Sequence, residues 1–217
     1  MNVSNVEVID RTVAFQGHFR VDRYRLRYKL YEGGWSGEMT REIFERGHAV
    51  CVILYDPTRD AVVLVEQFRP GAMAALQSSP WPDAPFGPWL LECVAGIVEP
   101  GEQPEDVARR ETREEAGCQA EDLFLLFRYL ASPGGSSESI AVYCGRVDST
   151  SAHGIHGLTS EHENIRVVTM PLAQAFQAVH DGKVVNSMTL ISLQWLERNV
   201  AMLRARWPVA RQQDARP

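Results

Sequence analysis

The sequence has no apolar run that approaches the length of a bilayer span, and its start, MNVSNVEVIDR, lacks the basic region and apolar core of a signal peptide. Neither a membrane location nor export is expected, and the cytoplasm is the expected compartment. Basic charge is not in excess either. With 22 Lys and Arg against 28 Asp and Glu, the formal net charge is −6, which argues against a surface that grips nucleic acid or anionic lipid. An anionic ligand has to be met locally. The four cysteines, Cys51, Cys93, Cys118 and Cys144, include no CxxC pair, and three of them stand inside apolar runs, so they read as buried reduced thiols rather than disulfides or zinc ligands. His153, His156 and His162 gather in SAHGIHGLTSEHEN, but Gly154 and Gly157 leave that loop without a fixed ligand face, which speaks against zinc. There is no internal repeat, and the regular βαβ alternation of a doubly wound sheet is missing.

What is there is a 217-residue chain, 45% apolar and 23% charged, the composition of an ordinary globular protein. In FRVDRYRLRYKLY, Arg23, Arg25, Arg27 and Lys29 alternate with Tyr24, Leu26, Tyr28 and Leu30, the period-two pattern of a half-buried strand whose basic side reads as a solvated face. EMTREIFERG offers it a partner strand. From His48 the runs HAVCVILYD and AVVLVEQF, joined by DPTRD, predict a hairpin covered on both faces. The segment from Pro70 to Pro88 is rich in Pro, Gly and Ala and reads as a long functional surface loop or a disordered excursion. WLLECVA, DLFLLFRYLA, SIAVYCGRV and IRVVTM read as further strands. A short helix is expected in PLAQAFQAVHDG, between Pro171 and Gly182, and a terminal helix from Ser187, capped by Asn186, with Leu190, Leu193, Leu196, Val200 and Leu203 as its core stripe. Strands, an embedded helix, more strands and closing helices make an α+β protein.

The stretch GIVEPGEQPEDVARRETREEAG, from Gly96 to Gly117, poses the chemical question. Pro104 suits the first turn of a helix, Glu105 and Asp106 favour its start, and Gly117 its stop, so a helix over 104–116 is predicted. At about 100 degrees per residue, Glu111, Glu114 and Glu115 fall within an arc of about 100 degrees, beside a narrow edge of Ala108, Thr112 and Ala116 suited to close packing. Like charges one turn apart cost roughly 0.2–0.5 kcal/mol, and carboxylates in a last helical turn face the negative end of the dipole. Arg110 and Arg113 relieve part of this. The fragment alone fits a surface helix laced with Arg/Glu pairs. The whole spacing, from Gly96 through Glu102, Arg110-Glu111 and Glu114-Glu115 to Gly117, fits a site where cations offset the repulsion.

That spacing resembles the Nudix box, G-x5-E-x7-R-E-U-x-E-E-x-G-U, with Thr112 and Cys118 in its two apolar positions. The motif's chemistry is hydrolysis of a nucleoside diphosphate linked to another group. REIFERGHA, EQFRPGA, WLLECVAG, LASPGGSSE and GIHGLTSEHENIRV further resemble the bacterial ADP-ribose pyrophosphatase branch, over about residues 17–198. The resemblance implies a Nudix fold, mixed β-sheets flanked by helices in an α/β/α sandwich, over 48–209. It also implies a small antiparallel β domain at 1–47 that serves dimerisation and substrate binding, while 210–217 reads as a disordered tail. It implies Mg2+, or Mn2+ in its place, held by the Ala95 carbonyl, Glu111, Glu115 and Glu163, with Glu161 as general base and Arg110 orienting the glutamates. Arg41, Arg46 and Arg69 are expected on the substrate, Ser132, Pro133, Gly134 and Glu138 around its terminal ribose and phosphate, and Phe19 with His18 against adenine. Glu102 and Glu114 are expected in supporting places, with joining a metal as the alternative for either. The implied partners are ADP-ribose and a second copy in a domain-swapped homodimer, with no nucleic acid and no membrane. A nucleoside-diphosphate-sugar hydrolase of broader choice and a silent ADP-ribose sensor are the alternatives. Intact Glu111, Glu115, Glu161 and Glu163 argue against the sensor.

Overall fold

The alternation in FRVDRYRLRYKLY folds as a strand, and its neighbours build a small sheet around it. In the computed structural model, which describes residues 1–78, 80 and 83–209, β1 (Val6–Gln16), β2 (Arg20–Tyr28) and β3 (Met39–Glu45) form an antiparallel sheet in the order β1-β2-β3. The basic face is solvated and ion-paired, with Arg23 on Glu42 and Arg27 on Glu7. Under it Asp22 is fully buried and accepts from Arg11 at 2.6 Å and from Arg20 at 2.7 and 2.8 Å. Two half-exposed arginines thus neutralise the one carboxylate that this sheet buries. Residues 1–48 together with Tyr129–Ile140 make one unit of the chain. Ala49–Arg128 and the chain from Ala141 onward make the second.

The second unit begins with the predicted hairpin. β4 (His48–Asp56) and β5 (Ala61–Phe68) pair antiparallel, and the run from Val50 to Tyr55 is completely buried, as continuous apolar strands require when both faces are covered. Asp56 closes the turn by accepting from the Thr58 and Arg59 N–H groups at 2.8 and 3.1 Å. The Pro70–Pro88 segment departs from the expected loop, because its first half is a helix, α1 (Pro70–Ser78), entered through Pro70. It buries no side chain and carries no charge in its end turns, so neither periodicity nor charge signals it. WLLECVA is broken at Cys93 into β6 (Trp89–Glu92), which pairs with β5, and β7 (Val94–Val98), which pairs with β4.

Next comes α2 (Pro104–Ala116), with the predicted ends: Pro104 in the first turn and Gly117 left-handed at φ 64°. β8 (Leu123–Leu130), β9 (Ser139–Arg146), β10 (Ile155–His156) and β11 (Ile165–Pro171) complete a sheet in the order β10-β11-β5-β4-β9-β8. α3 (Leu172–His180) and α4 (Ser187–Arg206) close the unit. Asn186 caps α4 as expected, accepting from the Thr189 N–H at 3.1 Å, while Leu193, Leu196 and Leu203 are fully buried and Leu190 and Val200 only partly. One core cluster joins Val50, Val52 and Leu54 to Val63, Val94, Val107, Ala108 and Ala116. Each fully buried aliphatic side chain contributes about 1.5–3 kcal/mol. The architecture is the expected α+β class. All four cysteines are free and buried. No described helix is long and apolar enough to cross a membrane, and the expected tail at 210–217 lies outside the described residues.

Candidate functional site

The small-residue edge of α2 decides where its acids go. Ala108, Thr112 and Ala116 have no exposed surface, so the helix lies close on its sheet, and Glu115, next to that edge, is drawn under with 3% exposure. Glu111 is half-buried one turn earlier. Burial pushes the Glu115 carboxyl up to about 8, against the hydrogen bond from the Ala95 N–H at 3.0 Å, with the charges of Glu111 and Glu163 adding to the rise. Burial likewise pushes Glu111 up to about 7; Arg110 works against this, while Glu114 and Glu163 add to it. Three carboxylates therefore act on one another inside one recess. Arg110 fans across its rim, 2.9 Å from Glu111, 2.9 Å from Glu114 and 3.8 Å from Glu102.

Two glycines of the motif are explained by close approach. A Cβ on Gly96 would overlap the Glu111 carboxyl itself, so β7 must present bare backbone there. At Gly117 the left-handed φ of 64° already disfavours other residues, and a Cβ would also strike the His156 ring. His156 in turn meets the His153 carbonyl through Nε2 at 2.9 Å, and the Gly157 N–H donates to the Glu114 carbonyl at 3.3 Å. The loop after β10 is thus fastened to the C-terminal end of α2, and it returns Glu163 to the recess. The Leu158 N–H donates to the Glu163 carboxylate at 3.0 Å. Glu161 ends the short helical turn Thr159–Glu161 on the exposed side of the same loop.

Arg69 comes to the recess from the end of β5. Burial works against its charge, but the bond to Glu92 and the fields of Glu92, Glu115 and Glu163 outweigh it and hold the guanidinium above its ordinary range. Its Nε and Nη2 both lie on Glu92, the latter at 2.6 Å. Glu92 is 2% exposed and also accepts from Asn186 Nδ2 at 3.0 Å. Sequence reading misses Glu92. Its only signal is an acidic residue inside the apolar run WLLECVA.

The remaining expected residues lie in the first unit. Phe19 meets Phe44 edge-on at 5.1 Å and His18 at 4.7 Å, and the Arg46 guanidinium sits over the Phe19 ring at 5.1 Å. Arg46 also approaches Glu138 at 3.8 Å. Ser132, Pro133 and Gly134 form a turn closed by the Gly135 and Ser136 N–H groups on the Ser132 carbonyl, and the Gly135 carbonyl accepts from the Phe44 N–H. His18, Phe19, Arg46 and Glu138 are therefore gathered. Arg41 stands apart on β3, exposed, its Nη1 on the Thr40 carbonyl.

Among the described residues, no group of three or more His, Cys, Asp and Glu side chains already closes on a common point. Each recess carboxylate instead leans on a donor of its own: Glu111 on Arg110, Glu115 on Ala95 and Glu163 on Leu158. The donor set is nonetheless all oxygen, anionic, partly dry and self-repelling, which fits a hard divalent cation and suits neither zinc nor a softer metal. The NUDIX domain family model matches residues 45–187, a span that contains this entire recess. The chain belongs to the Nudix family. Among its Nudix relatives, the ADP-ribose pyrophosphatase of Escherichia coli (strain K12) is 46% identical over 204 residues, covering 94% of this chain and 93% of that protein. The ADP-ribose pyrophosphatase of Haemophilus influenzae is 44% identical, covering 94% and 91%. A GDP-mannose pyrophosphatase of Klebsiella pneumoniae is 32% identical over 166 residues, covering 75% and 77%. A crystal structure of an ADP compounds hydrolase superposes with a TM-score of 0.68 at 19% identity, covering 95% of this chain and 99% of that one, which supports the fold.

Proposed function

We propose that this Nudix protein is a cytoplasmic, Mg2+-dependent hydrolase that splits the diphosphate bond of ADP-ribose into AMP and ribose 5-phosphate. The observation that carries the reading is the recess in which Glu111, Glu115 and Glu163 crowd together beside the Ala95 backbone, with Glu115 buried. That crowding is unfavourable for the isolated chain and favourable for a cation-loaded one. The kinship to two ADP-ribose pyrophosphatases supports the choice of substrate.

In this reading Glu111, Glu115, Glu163 and the Ala95 carbonyl hold Mg2+, with Mn2+ able to replace it. When bound, such a cation neutralises diphosphate charge and makes a water acidic enough to attack at neutral pH. Arg69 meets the diphosphate, as a planar guanidinium suits. Glu161, on its exposed loop, takes the proton of the attacking water as the new bond to phosphorus forms and the bridging P–O bond breaks. Arg110 keeps Glu111 and Glu114 from splaying. Phe19 with His18 receives the adenine, Arg41 and Arg46 bind the substrate's anionic groups, and Ser132, Pro133, Gly134 and Glu138 shape the place of the terminal ribose. Residues 1–47 serve as a dimerisation and substrate-binding β domain in a domain-swapped homodimer, and 48–209 as the catalytic domain.

The GDP-mannose relative favours a second reading, a broader nucleoside-diphosphate-sugar hydrolase. One experiment separates them: AMP release from ADP-ribose and GMP release from GDP-mannose, each with Mg2+ and with EDTA. Metal-dependent AMP release with kcat/KM at least about tenfold above that for GDP-mannose is expected. Equal rates would favour the broader reading, and turnover indifferent to EDTA would overturn the mechanism.

A further inference from the structure

Resting on that functional reading, the connections of Arg69 point to residues that it does not use. Arg69 lies between the end of β5 and the start of α1, a place where an arginine side chain has several rotamers open to it. Here it is held in one, because Nε and Nη2 both donate to Glu92, at 3.1 and 2.6 Å. That paired contact fixes the plane of the guanidinium as well as its position. The third nitrogen, Nη1, lies away from this pair. Glu92 in turn is not free to follow Arg69. It is 2% exposed, accepts from Asn186 Nδ2 at 3.0 Å, and stands next to Cys93, whose N–H donates to the Thr189 hydroxyl at 2.8 Å. Asn186 and Thr189 belong to the first turn of α4, where the Asn186 Oδ1 accepts from the Thr189 N–H and hydroxyl. One amide side chain therefore does two things. Its oxygen caps the helix, and its nitrogen holds the carboxylate that holds the arginine.

We infer that Glu92 and Asn186 are positioning residues for the hydrolysis: α4's capping asparagine, through Glu92, aims the Arg69 guanidinium at the substrate diphosphate. Neither residue touches the diphosphate. A helix cap alone needs only an oxygen, so the Asn186 amide nitrogen is free to be directed at Glu92, where it is the shorter of two side-chain donors besides Arg69, at 3.0 Å against 3.5 Å for Gln67 Nε2. Asparagine at 186 satisfies both demands; serine, threonine and aspartate satisfy only the cap.

The test uses that difference on the full-length chain, with Mg2+ and ADP-ribose. Asn186→Ser keeps an oxygen for the Thr189 N–H and removes the donor to Glu92. Glu92→Gln keeps the shape and weakens the hold on Arg69. In both, kcat/KM is expected to fall roughly tenfold, carried mainly by kcat; Asn186→Ser should melt within a few degrees of wild type, while Glu92→Gln, which takes the charged partner from Arg69, should melt roughly 10 °C lower and is assayed well below that temperature. Arg69→Ala is expected to cost more, and adding Glu92→Gln to it should cost nothing further, because the carboxylate acts only through the guanidinium. If the Glu92 and Arg69 losses multiply independently in an active wild type, the inference alone is overturned. It is equally overturned if Asn186→Ser keeps full kcat/KM. If the wild type releases no AMP from ADP-ribose, the functional reading falls and takes this inference with it. Should Glu92→Gln not fold, Asn186→Asp carries the decision: it keeps the cap but sets a second carboxylate against Glu92, and only a role in aiming Arg69 makes it worse than Asn186→Ser in kcat at equal stability.

Discussion

Glu115 shows how a single side chain can work against the fold that houses it. It is 3% exposed, it accepts from the Ala95 N–H, and Glu111 and Glu163 repel it. Replacing it with Gln removes the repulsion and keeps the shape. Without Mg2+, Glu115→Gln is therefore expected to melt a few degrees above wild type, at about 2–4 °C per kcal/mol for a chain of this size. With Mg2+ it is expected to lose at least roughly 10²-fold in AMP release. Calorimetry with and without Mg2+, beside the assay, checks both halves. Asp56 is the opposite case. Burial would raise its pKa, but hydrogen bonds from Ser149 and Arg59 prevail and hold the carboxyl below the usual range. A carboxylate depressed in the folded state stabilises above its unfolded pKa of about 4, and that contribution is lost as pH falls through the lower folded value. Asp56→Asn should thus cost roughly 3 kcal/mol near pH 7, and the gap to wild type should narrow steadily below about pH 4. Melting curves from pH 7 to 3 read it directly; a constant gap would show that shape, not charge, holds Ser149 and Arg59.

Elements differ in how openly the sequence announces them, and the reason is physical. α2 is legible to both ends, because Pro104 and Gly117 are local start and stop signals and the acids between them have a fixed spacing. Glu111 and Glu115 are legible for the same reason, whereas Glu163, on a loop far along the chain, enters the reading only through the family resemblance. α1 is not legible: PGAMAALQS has neither charged ends nor an apolar stripe to bury, so nothing sets it apart from a loop. The chain of Arg69, Glu92 and Asn186 is hidden because Glu92 lies 23 residues from Arg69 and 94 from Asn186, and only the fold brings them together. The clasp between α2 and the loop after β10 is half visible, since the sequence marks Gly117 as a helix stop but offers His156 only as a poor metal candidate. Their contact predicts an element-level coupling. Gly117→Ala should cost about 1–2 kcal/mol for the left-handed backbone, and displacing the His156 ring should disturb the loop that carries Glu161 and Glu163. Activity is expected to fall further than stability alone explains. Adding His156→Ala removes the steric part, so the double variant should recover part of kcat and none of the backbone cost. Stopped assays and thermal melts on the four proteins decide it; a double variant no better than Gly117→Ala would deny the clasp.

At the scale of the whole molecule, the net charge of −6 leaves an anionic substrate to be met by a few arginines, and it leaves open what holds two copies together. The first unit offers an answer within itself. β1 is the edge strand of its sheet, eleven residues long, and Val8, Val13 and Phe15 are 52%, 53% and 58% exposed along it. A long edge strand with apolar side chains in water is a surface that another chain can pair with and cover. We assign that covering to the homodimer proposed above, and on that reading the full-length protein is expected to scatter light as about 49 kDa, twice 24.4 kDa. Charges placed on that strand should then act on assembly and not on the fold. Val13→Glu with Phe15→Glu changes side chains that are exposed in the single chain, where substitutions usually stay within about 0.5 kcal/mol. The double variant is expected to keep its circular dichroism while its mass falls to 24.4 kDa. Because the exchanged β domain is also assigned the adenine, KM for ADP-ribose should rise roughly tenfold or more as the dimer is lost. A variant that stays dimeric would move the interface off β1, and a monomer with unchanged KM would separate dimerisation from substrate binding.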